Sequence, residues 1–224
     1  MTEVVIRNKS LLKRLNSFTD EFFSIDGYYD LNHRMVSSPD ALENPEYYCS
    51  PEYLQEQIET GEAHSGYPEE YMSHTVARMV EKNPDKFTGW RDRVRNDFAA
   101  EIGAMHSALL NYYPPGGFVG WHTNWNANAY QILFTWSETG DGYFKYRDHT
   151  GTIITEKDKP GWQCRHYYFG AKHEKEHHCW HAAYAGCDRI TLAYKFENDS
   201  KTSSKDAGVR MLRDQLIEEI EQGD

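Results

Sequence analysis

His122 and Asn124 stand two residues apart in the stretch GWHTNWN. On an extended strand, side chains at i and i+2 leave the same face. An imidazole and an amide would therefore project together. A facial site for ferrous iron takes two imidazoles and one carboxylate and keeps its other positions open. One strand end thus offers two donors of such a set, the second of them uncharged. A further donor must come from a distant part of the chain, and His181 is a candidate, eight residues before the apolar strand that opens at Arg189. Arg189 and Thr191 share a face by the same alternation. A guanidinium beside a hydroxyl suits a carboxylate, because the planar fork can bond both oxygens at once.

Other readings of these residues stay open. The run KEHHCWH contains His178, eleven residues before Arg189, as a competitor for His181. The same run has the composition of a structural zinc site, but a second Cys/His pair is missing; Cys164, His166 and Cys187 could add donors only through the fold. Arg165, on another strand, could serve an acidic neighbour or a substrate. Trp121 and Trp125 flank the His-x-Asn pair and could wall a pocket.

The elements that must position these residues divide into two periods. From about Asn8 to Leu110 the pattern is helical. Leu11, Leu12, Leu15, Phe18 and Phe22 mark one helix, and Tyr71, Met72, Val76, Met79 and Val80 another. Trp90, Val94, Phe98, Ile102, Met105 and Leu109 form a stripe at steps of three and four, which predicts a third. The Tyr- and Pro-rich stretch from Tyr28 to Tyr53 reads as an irregular loop, either a lid or a wrap. After Phe118 come short strand-like runs: 118–122, 129–136, 142–146, 151–155, 163–169, 179–184 and 189–196. SETGDG, RDHTG, KDKPG and AGCD punctuate them. Many short strands with close turns predict a β-sandwich or barrel. Val209, Leu212, Leu216, Ile217 and Ile220 predict a last helix.

Composition narrows the function classes. With 26% charged and 39% hydrophobic residues the chain is globular, and its longest apolar runs are too short to cross a bilayer. A net charge of −11 disfavours a broad electrostatic grip on nucleic acid or anionic membrane. Small molecules or cationic protein segments are easier partners. The four cysteines form no CxxC pair, so reduced thiols are expected. MTEVVIRNKS lacks a signal-peptide apolar region, and a cytoplasmic location is the expectation.

Taken in order, NYYPPGG, His-x-Asn, a distant His and Arg-x-Thr resemble the iron- and 2-oxoglutarate-dependent oxygenases. NYYPPGG and GWHTN are most similar to the prolyl-4-hydroxylase-like and AlkB-like branches. The resemblance covers roughly Asn111 to Phe196. It implies an α+β fold with a mainly β core: a double-stranded β-helix, jelly-roll or cupin-like, with a supporting helical layer. The expected organisation is one domain over 1–224, with helical support at 8–110, the β core at 111–197 and a C-terminal helix at 203–222.

The resemblance further implies Fe(II) held by His122, Asn124 and His181. Arg189 and Thr191 would bind the far carboxylate of the cosubstrate 2-oxoglutarate, with Tyr113 and more weakly Tyr130 beside it. Ascorbate would act as a stimulant. The implied reaction is hydroxylation of a C–H bond on a peptide side chain or small molecule, releasing succinate and CO2. Asn124 departs from the family, which has Asp or Glu there; Asp141 is a candidate for the missing carboxylate. A degenerate β-helix that binds a ligand or protein without turnover is the alternative that Asn124 supports.

Overall fold

The structure is a computed structural model that describes residues 1–60, 68–125, 127–171, 174, 177, 179–197 and 207–223. Strand β1 (Thr2–Val4) leads into α1 (Lys9–Ser24). Asn8 caps α1, its Oδ1 accepting from the Leu11 N–H at 2.8 Å. Leu15, Phe18 and Phe22 lie on its inner face and are buried, each contributing roughly 1.5–3 kcal/mol.

The stretch that follows contains short elements: a 3₁₀ turn at Leu31–His33, β2 (Met35–Val36), α2 (Asp40–Glu43), a 3₁₀ turn at Tyr47–Cys49 and α3 (Pro51–Glu59). It is a wrap. Tyr28 packs on Phe22 and Tyr112, Tyr48 stacks on Phe118, and no residue of 28–53 lines the central cavity.

Two expected helices are corrected here. Tyr71 and Met72 belong to strand β3 (Tyr71–Thr75), and only Val76–Lys82 is helical, as α4. The stripe from Trp90 begins in α5 (Pro84–Asp92), passes a π turn at Arg93–Asp97, and ends with α6 (Phe98–Glu101). Gly103, at φ +69°, then closes the helix: Ala104 N–H donates to Ala99 O and Gly103 N–H to Ala100 O. That is the Schellman pattern, which favours glycine at the left-handed position. Met105 is consequently exposed, and Leu109 lies in β4 (His106–Tyr113). The Tyr194 hydroxyl donates to the Val94 carbonyl in the π turn at 2.7 Å, satisfying a group that the turn displaces.

The remaining strands are β5 (Gly117–His122), β6 (Ala129–Ser137), β7 (Gly142–Arg147), β8 (Ile153–Lys157), β9 (Gly161–Phe169), β10 (His181–Ala185) and β11 (Arg189–Glu197), followed by α7 (Ala207–Gln222). The order is β1-β9-β6-β11-β4-β3-β5-β10-β7-β8, with β2 beside β3 and every pairing antiparallel. β3 joins the two halves by pairing β4 on one edge and β5 on the other. The sheet is thereby curled into a jelly-roll or cupin-like arrangement.

Three apolar clusters follow from the alternation and, in β5, from a register shift against β10 that brings Phe118 and Trp121 to one face. Ile190, Leu192, Tyr194 and Phe196 of β11 face α1, α5 and α6 in the largest. Phe118, Trp121 and Ala182 face the wrap on the opposite outer side. Leu133, Phe144, Phe169 and Ala183 face inward. No helix among the described residues is long and apolar enough to cross a membrane.

Candidate functional site

β5 and β10 are neighbours, and their register places His122 opposite His181. The two imidazole centroids are 4.1 Å apart, and the residues are 9% and 7% exposed. Each ring turns back onto its own strand: His122 Nδ1 is 2.9 Å from Gly120 O, and His181 Nδ1 is 3.0 Å from Cys179 O. A carbonyl only accepts, so in the neutral form of each ring Nδ1 carries the proton and Nε2 the lone pair. This is how a carbonyl partner fixes the tautomer of a metal-binding imidazole. Gly120 permits the close passage of the neighbouring chain, since a Cβ there would stand 2.8 Å from Glu70 O.

Both histidines line a cavity of about 380 Å³ inside the curled sheet, a size ordinary for small-molecule sites. Asn124, Tyr113, Arg189 and Thr191 line it too. β5 stops at His122, so Asn124 reaches the cavity from the turn that follows, not from a strand. That turn is closed by Ala127 N–H donating to Asn124 O, with Trp125 at φ +51°, uncommon for a residue with a side chain. No Asp or Glu lines the cavity among the described residues, and no group of three or more His, Cys, Asp or Glu converges as a metal site. Two imidazoles and one amide oxygen can hold a divalent cation, with one negative charge fewer than the facial set.

The floor is built by the inward positions of β11, β4 and β9. Arg189 and Thr191 stand opposite Tyr113 and Asn111 of β4. Arg189 Nη1 donates to Thr191 Oγ1 at 2.8 Å, and Nε donates to Asp158 Oδ2 at 2.7 Å. Arg165 joins the same buried group, with Nε 2.6 Å from Glu156 Oε2 and Nη1 3.6 Å from Asp158 Oδ1. Arg165 thus pairs with acidic neighbours, the first of the two readings for it, and it also lines the cavity. Among the described residues, Arg189 Nη2 and the Thr191 hydroxyl proton remain for a ligand oxygen. Burial pushes the Tyr113 phenol up, with Asn111 and Arg189 acting in the opposite direction.

Several expected contributors lie elsewhere. Tyr130 is a correction: it faces outward from β6, its hydroxyl bonds His166, and the Arg213 guanidinium of α7 covers its ring at 4.1 Å. The reason is parity, because the inward positions of β6 are Gln131, Leu133 and Thr135. Asp141 is another. It precedes Gly142, which pairs with Ala185 at the far end of β10 from His181, and it is exposed. Trp121 alternates to the outer face, where its indole N–H donates to Ser50 O at 2.8 Å, and Trp125 does not line the cavity. Cys164 faces the helices and Cys179 the interior, so the thiols do not gather. His178 lies outside the described residues.

The sequence reading missed Asp158, Asn111, His106 and Lys195. Asp158 sits in KDKPG, which reads only as a turn. Lys195 was legible, since it continues the inward series Arg189, Thr191, Ala193 by twos.

The fold and cavity define a jelly-roll or cupin-like protein with a histidine pair and a buried arginine in one interior site. No family model matches the sequence, and no curated protein is significantly similar to it. Among solved structures, the chain is similar to a prolyl-4-hydroxylase from Pseudomonas putida at 11% identity and a TM-score of 0.32, covering 81% of this chain and 98% of that one. It is similar to an oxidoreductase of the 2OG-Fe(II) oxygenase family from Burkholderia pseudomallei at 7% identity and a TM-score of 0.34, covering 84% and 94%. A ribosomal oxygenase from Escherichia coli gives 16% identity and a TM-score of 0.30, covering 62% of this chain and 34% of that one. Likenesses this slight assign no family.

Proposed function

We propose that the chain is a non-haem Fe(II)- and 2-oxoglutarate-dependent oxygenase, a single domain on a double-stranded β-helix, that hydroxylates a C–H bond of a small molecule or peptide side chain. The observation that carries the reading is the pair His122 and His181, both with Nε2 as the lone-pair nitrogen, in one cavity with Arg189 and Thr191. His122, His181 and the Asn124 amide oxygen are the residues that would hold the metal. Bound there with 2-oxoglutarate and oxygen, iron supplies an oxidant able to take hydrogen from an unactivated C–H bond, with succinate and CO2 leaving.

The chain's own residues do the rest. The Gly120 and Cys179 carbonyls hold the imidazoles in their metal-binding tautomer. Arg189 Nη2 and the Thr191 hydroxyl donate to the far carboxylate of the cosubstrate. Asp158 holds the guanidinium in place through Nε. Phe144, Phe169 and Leu133 present apolar surface around His181 and limit water at the reacting carbon.

Anaerobic titration with Fe(II) and then 2-oxoglutarate tests this. One iron per chain and the weak visible charge-transfer band of the chelate are expected. Iron bound at full occupancy without that band overturns the reading. One observation favours the second reading, a ligand-binding module without turnover: no carboxylate lines the cavity among the described residues. That reading expects 2-oxoglutarate or another anion to bind with no metal present.

A further inference from the structure

The two ends of the cavity differ in charge balance. At the floor, Arg189 and Arg165 meet Asp158 and Glu156, two cations against two anions. At the other end stand Lys195 and His106, brought opposite each other by a register shift between Ala193 and Tyr194. A bulge of this kind re-aims a side chain, and here it directs His106 to the same face as Lys195. Gln131 of β6 pairs with Lys195 on the other side. Arg95, from the π turn, lines an adjoining groove that shares His106 with the cavity.

None of Lys195, His106 and Arg95 has an ion-pair partner among the described residues. Burial lowers the Lys195 ammonium. The His106 imidazole is lowered first by burial and then by Lys195 and Arg95. In a chain of net charge −11, three basic groups on two adjoining cavities, with no ion-pair partner among the described residues, are not a consequence of composition. Six residues of extended strand separate Arg189 from Lys195, roughly 20 Å. A five-carbon dicarboxylate anchored at Arg189 does not reach that far.

We infer that Lys195, His106 and Arg95 form a second anion site, which binds a carboxylate or phosphate group of the primary substrate, a small molecule. The inference rests on the oxygenase reading for the word substrate; the anion site itself rests on the rim. Lys195 supplies the charge from within the cavity, Gln131 an amide beside it, and His106 and Arg95 the outer side. Lys195 is half-buried whereas His106 and Arg95 are exposed, so the contact to Lys195 is the stronger one.

The test is a titration of the full-length, metal-free protein with inorganic phosphate and, separately, acetate at constant ionic strength. Backbone amide resonances report the binding. Saturable shifts are expected at Met105, His106, Gln131 and Lys195. Lys195→Met should weaken binding at least tenfold and Lys195→Arg restore it to within about threefold. Tighter phosphate than acetate identifies a phosphate-bearing substrate, and the reverse a carboxylate. Absence of saturable shifts at the rim with both ions, or shifts that persist undiminished in a folded Lys195→Met protein, overturns the inference. Rim binding together with a failed iron and 2-oxoglutarate titration would leave the anion site standing and remove the oxygenase reading.

Discussion

Arg189 Nε lies 2.7 Å from Asp158 Oδ2, and the two side chains are 3% and 0% exposed. The arginine available for an anionic ligand is therefore already half engaged by a buried carboxylate. Removing one partner of such a pair leaves a charge without compensation, which costs about 3–5 kcal/mol. Asp158→Asn keeps an acceptor and should sit near the lower figure, about 3 kcal/mol in urea unfolding. The same change removes a negative charge beside Arg189, so 2-oxoglutarate should bind more tightly as stability falls. Loss of both would show that Asp158 positions the guanidinium more than it competes for it.

Arg189→Lys keeps a cation opposite Asp158 and loses the second arm of the fork. With the hydrogen bond from Nη2 gone, 2-oxoglutarate affinity should fall roughly 10- to 100-fold, the worth of one charge-assisted bond. Iron affinity and the thermal midpoint should change little. An equal loss of iron would place Arg189 in the support of the fold.

Asn124→Asp restores the charge that distinguishes a facial carboxylate from an amide. Fe(II) should bind more tightly in competition with a chelator, whereas His122→Ala and His181→Ala should each abolish binding. An unchanged iron affinity in the Asp form would mean that the Asn124 side chain does not reach the metal. Turnover of 2-oxoglutarate in that form separates a site already working with Asn, which gains little, from a decayed one, which recovers.

His74 should make the fold sensitive to acid. It is 1% exposed on β3, edge-on to Tyr112 at 5.4 Å and 6.4 Å from His33. Burial, followed by His33 and Arg34, pushes its pKa down to about 4 from 6.5. The unfolded chain therefore takes up the proton first as pH falls. Stability is full above pH 6.5, declines between 6.5 and about 4, and levels off below, a loss on the order of 3 kcal/mol. His33, whose pKa burial also lowers, adds to the slope. Urea unfolding between pH 7 and 4 should show this decline, and His74→Phe should flatten it. An identical profile in the variant would move the acid sensitivity to other groups.

The sequence by itself determined the elements whose periodicity is locally complete. α1 was legible because Leu15, Phe18 and Phe22 repeat at helical steps. Seven of the strands were legible because β-like runs alternate with Gly- and Asp-rich turns. β3 and β4 were not, since Tyr71, Met72 and Val76 fit a helical spacing as well as a strand running into a helix. Only partners on both sides made β3 a strand. Likewise the stripe past Ile102 continued on paper, and one left-handed glycine ended it.

For the site, residue type and order pointed to His122, Asn124, His181, Arg189 and Thr191, and the family resemblance added Tyr113; all six line one cavity. Spacing alone could not choose faces. Tyr130 lies outside because β6 has Gln131, Leu133 and Thr135 as its inward set, and that parity is fixed by its pairing with β11. The engagement of Arg189 by Asp158, thirty-one residues away in sequence, and the meeting of Lys195 with His106 across a bulge were decided by tertiary structure. The physical reason is that a strand specifies which side chains travel together, whereas its neighbours in the sheet specify what they meet.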